Sequence, residues 1–206
     1  MKLTKFSPAA STEVVLQPEA EPVVEQVKLR AENLFDTRAL LCAEAVLLTL
    51  NDTFEGTLTD EEAINLGSTF CMGVGSAGCM CGALAGGLAA VGLFSAKGEL
   101  AASNAHSRDL GKELHDAFVK HHGSTCCRSL TRHVKKDPKK HFAQCTMLTG
   151  DAAQLAARII IEERKRRGLQ LTKNTAPARL SKAGVMLQRV MSFLRNGLRK
   201  VTSVLH

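Results

Sequence analysis

Apolar residues along this chain recur at intervals of three and four, and no run alternates in twos convincingly enough for a strand. The pattern predicts an all-α fold, a compact helical bundle with a separate C-terminal amphipathic helix. Val23, Val24, Val27, Leu34 and Phe35 make the first series, with Pro22 placed as a first-turn residue. Asp36 and Thr37 predict the cap of a second helix through Leu50, whose sequence RALLCAEAVLLTL is apolar on most sides and carries Cys42 near its start. Thr59 followed by Glu62 is a capping-box pattern that opens a short helix to about Phe70. Gly73, Gly75 and Gly78 then break the chain before a central helix expected to end near Lys97 and Gly98.

From Glu99 to His122, Leu110, Leu114, Phe118 and Val119 fall on one side of a longer amphipathic helix that Gly123 ends. Ser124 to Leu130 reads as a turn or helix start presenting Cys126 and Cys127. Pro138 opens a short helix carrying Cys145, and Asp151 is expected to cap a further helix through Arg167. Four regions follow: a loosely ordered lead-in at 1–21, the helical cysteine-bearing domain at 22–167, a linker at 168–178 and a tail helix at 179–206. Leu180, Leu187, Met191, Leu194 and Leu198 make the tail amphipathic, while Lys182, Arg189, Arg195 and Arg199 make it basic.

The centre of this pattern is FCMGVGSAGCMCGALAGGLAAVGLF, from Phe70 to Phe94, which holds three of the seven cysteines and seven of the sixteen glycines. No charged residue occurs from Ala63 to Ala96. Gly and Ala dominate over long apolar side chains, so the stretch reads as the centre of a core rather than a span in lipid. Gly78, Gly82 and Gly86 stand four apart, which predicts one helix face that another backbone approaches closely, with Cys81 at its edge.

Composition narrows the picture. Eight Phe and no Trp or Tyr in 206 residues leave the core to Ala, Leu, Val and Gly, as close-packed helices require. The net charge of +7 is uneven: residues 1–41 carry −1, residues 42–157 carry −2 and residues 158–206 carry +10. The basic character therefore belongs to the tail. The body has no basic stripe and no aromatics suited to base stacking, so no nucleic-acid partner is expected. The N-terminus shows no continuous apolar run of the secretory kind, which predicts a cytoplasmic protein, membrane-peripheral if the tail docks on an anionic surface. The chain's own body, a second copy of the chain or an acidic protein partner are the tail's other candidate docking surfaces. In a reducing compartment, seven cysteines point to metal ligands or redox thiols more than to a disulfide framework.

The spacing of those cysteines excludes several chemistries. Cys79 and Cys81 flank Met80, and Cys126 and Cys127 are adjacent, so there is no CxxC dithiol, no covalent haem motif and no paired CxxC zinc unit. The cysteines lie on separate segments and can converge only in the folded state. His121 and His122 stand four to six residues before Cys126 and Cys127, and His141 four before Cys145. A histidine one helical turn from a cysteine can stabilise its thiolate, which makes His121 and His122 candidate ligands or activators. His106, His115 and His133 read as solvated surface side chains. Phosphate loops, metalloprotease signatures and nucleophile elbows do not appear.

Cys42 in LLCAEAVL, Cys81-Gly82-Ala83-Leu84-Ala85-Gly86, Cys127-Arg128-Ser129-Leu130 and Cys145 together resemble the C_GCAxxG_C_C family of redox-active proteins, in cysteine order, CGAxxG motif and intervening lengths. The resemblance runs from about residue 30 to residue 163. It implies a small helical protein whose functional residues are Cys42, Cys81, Cys127 and Cys145, as catalytic thiols or metal ligands, with Gly82 and Gly86 as candidate cofactor-binding positions. It also implies oxidoreductase or transporter components as partners. Cys71, Cys79 and Cys126 fall outside the pattern, so Cys71→Ser is expected to be tolerated where Cys81→Ser is not.

Three functional classes follow. The first is electron transfer by four converging cysteines, through an iron–sulfur or other metal centre or through dithiol/disulfide exchange. The second is a thiolate metal carrier or sensor linked to transport. The third is an adaptor or cargo protein docked by its tail.

Overall fold

The computed structural model describes residues 20–96, 98, 104–171, 181–187 and 190, and among them there is no strand. The helices are α1 Glu21–Asp36, α2 Cys42–Thr53, α3 Asp60–Ser68, α4 Cys71–Val74, α5 Gly82–Ser95, α6 Ala105–His122, α7 Cys127–Thr131 and α8 Pro138–Arg166. The uncharged stretch expected at the centre is there: α5 packs on α2, α6 and α8, while α1 runs along α8. Leu47, Leu50, Phe54, Leu84, Leu114, Phe118, Leu148 and Ile160 are fully buried between them. Small residues make this packing close. A Cβ on Gly86 would fall 2.6 Å from the Ala43 carbonyl oxygen and 3.0 Å from Ala43 Cα, so the backbones of α5 and α2 touch there.

Several expected elements hold. Pro22 stands in the first turn of α1. Thr59 caps α3, its backbone N–H donating to Glu62 Oε2 at 2.8 Å and its hydroxyl accepting from Glu62 N at 3.3 Å. Gly123 ends α6 with φ 74°, the left-handed position that glycine takes without cost.

Three expectations are corrected. Asp36 and Thr37 do not open the second helix. The Thr37 hydroxyl donates back to the Asn33 carbonyl at 2.7 Å and Arg38 turns to φ 59°, which closes α1 and delays α2 until Cys42. Gly78 shares no helix face with Gly82 and Gly86, because it lies in the preceding loop with φ 90°. Asp151 caps nothing either, since α8 runs through it without a break. Its carboxylate pairs sideways with Lys28 at 2.9 Å, and Gly150 makes room for Glu32 of α1. The capping role falls to Asp137, whose Oδ1 accepts from the backbone N–H of Lys139 and Lys140 at 3.1 Å each.

The far end of α8 is tied by Glu163, whose side chain is 2% exposed. It accepts from Arg166 Nη2 at 2.7 Å, from Arg167 Nε at 2.6 Å and pairs with His106 Nε2 at 2.8 Å. The Arg166 guanidinium, helped by His106 and Arg167 against the effect of burial, holds its carboxyl down at about 2. A depressed carboxyl pKa contributes stability above the unfolded value near 4.5 and loses it as pH falls through about 2. Thermal unfolding between pH 5 and pH 2 is expected to show this loss, with a much flatter profile in Glu163→Gln.

Most of the lead-in, linker and tail expectations fall outside the described residues. Within them, residues 182–187 are helical, Val185 is buried and Lys182 Nζ pairs with Asp36 Oδ2 at 3.0 Å. No helix among the described residues is long and apolar enough to cross a membrane.

Candidate functional site

Cys42 is the first residue of α2 and Cys81 the residue that caps the start of α5, so two helices of 12 and 14 residues begin at thiols. The backbone N–H groups at such ends favour a thiolate. The two starts can sit side by side because residue 82 has no side chain. A Cβ there would lie 2.7 Å from Cys42 Sγ and 2.6 Å from the Phe70 carbonyl oxygen. Cys127 opens α7, and Cys145 projects from the first part of α8.

The segment between α3 and α5 is a run of left-handed backbone. Met72, Gly73, Val74, Gly75 and Ser76 take φ of 60°, 73°, 54°, 59° and 75°. For Met72, Val74 and Ser76 this is costly, at about 1–2 kcal/mol each, and such outliers gather at functional sites. The loop is clamped onto the α7 segment. Arg128 N donates to the Gly78 carbonyl at 2.9 Å, Cys81 N to the Thr125 carbonyl at 2.7 Å, and Arg128 Nη2 to the Ala77 carbonyl at 2.7 Å.

Cys42, Cys81, Cys127 and Cys145 all line one cavity of about 820 Å³. Its walls are mostly apolar, and Phe35 stacks on Phe142 with ring centroids 5.1 Å apart. Arg38, Arg128 and Lys135 bring positive charge to the lining, against Glu44, whose Oε2 is taken by the Leu41 N–H at 2.7 Å. The cavity therefore favours an anionic guest with apolar parts.

The four thiols are not equivalent. Cys42 is held below the usual thiol range by a hydrogen bond from the Cys71 thiol, with burial opposing and the Met72 and Ala43 N–H groups assisting. Burial raises Cys81 and Cys127, and pushes Cys145 up to about 12. Cys42 is thus the most readily ionised of the four lining thiols. Cys71, itself pushed up because its proton is held against Cys42, is the residue that the cysteine pattern missed. Nothing in its local sequence marks it, because its partner lies almost thirty residues upstream.

That hydrogen bond is testable. Cys71→Ala removes the donor and is expected to slow alkylation of Cys42 by iodoacetamide at neutral pH, about tenfold for each unit its pKa rises. Cys71→Ser, whose hydroxyl can still donate, should restore most of the rate. An unchanged rate in Cys71→Ala would mean that another group sets the ionisation.

The histidine candidates lie elsewhere. Neither His121 nor His122 lines the cavity, whereas His141 does. The His122 ring packs on Phe118 at 4.5 Å, and its Nε2 is 3.6 Å from Asp151. Among the described residues no three His, Cys, Asp or Glu side chains are grouped to hold a metal ion. The four thiols share a cavity but, among the described residues, are not drawn together as a ligand cage.

The structure is thus an all-α bundle in which Cys42, Cys81, Cys127 and Cys145 line a single cavity. The model of the family described as "Putative redox-active protein (C_GCAxxG_C_C)" matches residues 40–159, and the chain belongs to that family. No curated protein and no solved structure matches the chain.

Proposed function

We propose that this protein is a two-electron thiol–disulfide redox protein whose attacking group is Cys42 and whose resolving group is Cys81. The observation that supports this most directly is that both thiols line one cavity, with Cys42 Sγ 2.7 Å from where a Cβ on Gly82, the residue after Cys81, would stand. A lowered Cys42 pKa beside a raised Cys81 pKa agrees with it. The Cys42 thiolate attacks one sulfur of a disulfide, forming a mixed disulfide and expelling the other half as a thiolate. Cys81 then attacks the Cys42 sulfur, closing a Cys42–Cys81 bond and releasing the second half. Two electrons leave the protein. One proton comes from Cys81 and one from water, so the substrate departs as two thiols. A dithiol oxidoreductase would reset the pair, and Cys127 and Cys145 offer a second pair of reducing equivalents in the same space.

The positive lining makes an anionic disulfide the expected small substrate. The test uses reduced protein with glutathione disulfide and, for comparison, hydroxyethyl disulfide. The expected result is a loss of two free thiols, a Cys42–Cys81 link located by mass spectrometry, and faster reaction with the anionic reagent. Unreactive Cys42, or protein purified without oxygen that carries stoichiometric iron and a visible absorption bleached on reduction, would overturn the reading.

A further inference from the structure

The CxC and CC motifs are each divided by the fold. Cys81 and Cys127 line the cavity, whereas Cys79 and Cys126 do not. These two thiols instead lie beside each other outside it: Cys126 Sγ stands 3.1 Å from the carbonyl oxygen of Gly78, the residue before Cys79, with Cys79 exposed and Cys126 half-buried. The backbone holds them in place through the clamp between residues 77–81 and 125–128. When protonated, Cys126 Sγ donates to the Gly78 carbonyl. Each motif therefore supplies one thiol to the interior and one to the surface.

We propose that Cys79 and Cys126 form a second dithiol/disulfide couple, at the surface, which exchanges electrons with the dithiol of a partner protein too large to enter the cavity. The couple does not depend on the Cys42 reaction. Cys79 gives the accessible sulfur. Its thiol donates to Cys126, whose ionised form is thereby favoured, so Cys126 is the better leaving group. In the oxidised form a partner thiolate attacks Cys79 Sγ. The bond to Cys126 breaks and Cys126 leaves as a thiolate. The partner's second thiol attacks its own half of the mixed disulfide and releases Cys79. Two electrons and two protons pass from the partner dithiol to the pair, and the partner ends as a disulfide.

The experiment equilibrates the whole protein in mixtures of reduced and oxidised dithiothreitol, labels free thiols, and locates each label by tandem mass spectrometry, which separates Cys79 from Cys81. Cys79 and Cys126 are expected to lose label together, their reduced-to-oxidised ratio changing about tenfold for each roughly 30 mV, the slope of a two-electron couple. In Cys79→Ser, Cys126 should stay labelled over the same range. Independent titration of the two residues would overturn the proposal. So would full labelling at the most oxidising poise, or loss of Cys126 label in Cys79→Ser, which would assign it another partner. Cys42 and Cys81 are followed in the same spectra, so failure of the surface couple is distinguishable from failure of the cavity reaction.

Discussion

Cys81→Ser is expected to stop the reaction with glutathione disulfide at a mixed disulfide on Cys42, with no internal link and no turnover above the uncatalysed exchange. A serine hydroxyl keeps nearly the size of the residue and suits the start of a helix but cannot attack sulfur, so the fold should survive while the second step is lost. Cys42→Ser should block the first step instead and give no adduct. The two variants thus separate attack from resolution, and mass spectrometry of the intact protein reads the difference directly. Cys145→Ser leaves both steps their sulfur atoms, and Cys71→Ser leaves Cys42 its donor, so each should retain the first cycle. If Cys81→Ser turned over normally, or if Cys145→Ser stopped at the same adduct, the resolving role would belong to another thiol.

Gly82→Ala and Gly86→Ala should both be strongly damaging, because each methyl would meet the backbone of another segment at 2.6 Å. A methyl on Gly86 meets backbone on the neighbouring helix at 2.6 Å, and neither helix can rotate it away. Overpacking of this kind costs up to about 3 kcal/mol, offset by about 1 kcal/mol because alanine favours helix over glycine. The net loss of about 2 kcal/mol corresponds to a fall of roughly 4–8 °C in melting temperature for a chain of this size. Gly82→Ala carries a further effect, because its methyl would displace Cys42 Sγ at 2.7 Å. Slower alkylation of Cys42 is therefore expected in Gly82→Ala and not in Gly86→Ala. Melting temperatures within a degree of the parent for both variants would show that α2 and α5 can separate without cost.

The helical class, the first helix, the capping box at Thr59 and the stop at Gly123 were legible because each depends on residues close together in the chain. Thr37 was misleading for a physical reason: the same hydroxyl can cap a following helix or donate to a carbonyl four residues back, and here it does the second. Asp151 looks like a cap until Lys28 is brought beside it by α1. The four pattern cysteines were legible through their order and the CGAxxG motif, and the cavity does collect them. Cys71 and the Cys79–Cys126 pair were not, since their partners lie on other segments that only the folded chain brings together.

Where α2 and α5 meet, the spaces left open at Gly82 and Gly86 serve assembly of the bundle and placement of the Cys42 sulfur at once. Sequence drift at this contact would be penalised through protein abundance before any question of chemistry arises. A growth-independent screen that scores only how much folded protein each single substitution leaves in the cell should therefore trace the floor of the thiol cavity without any redox assay.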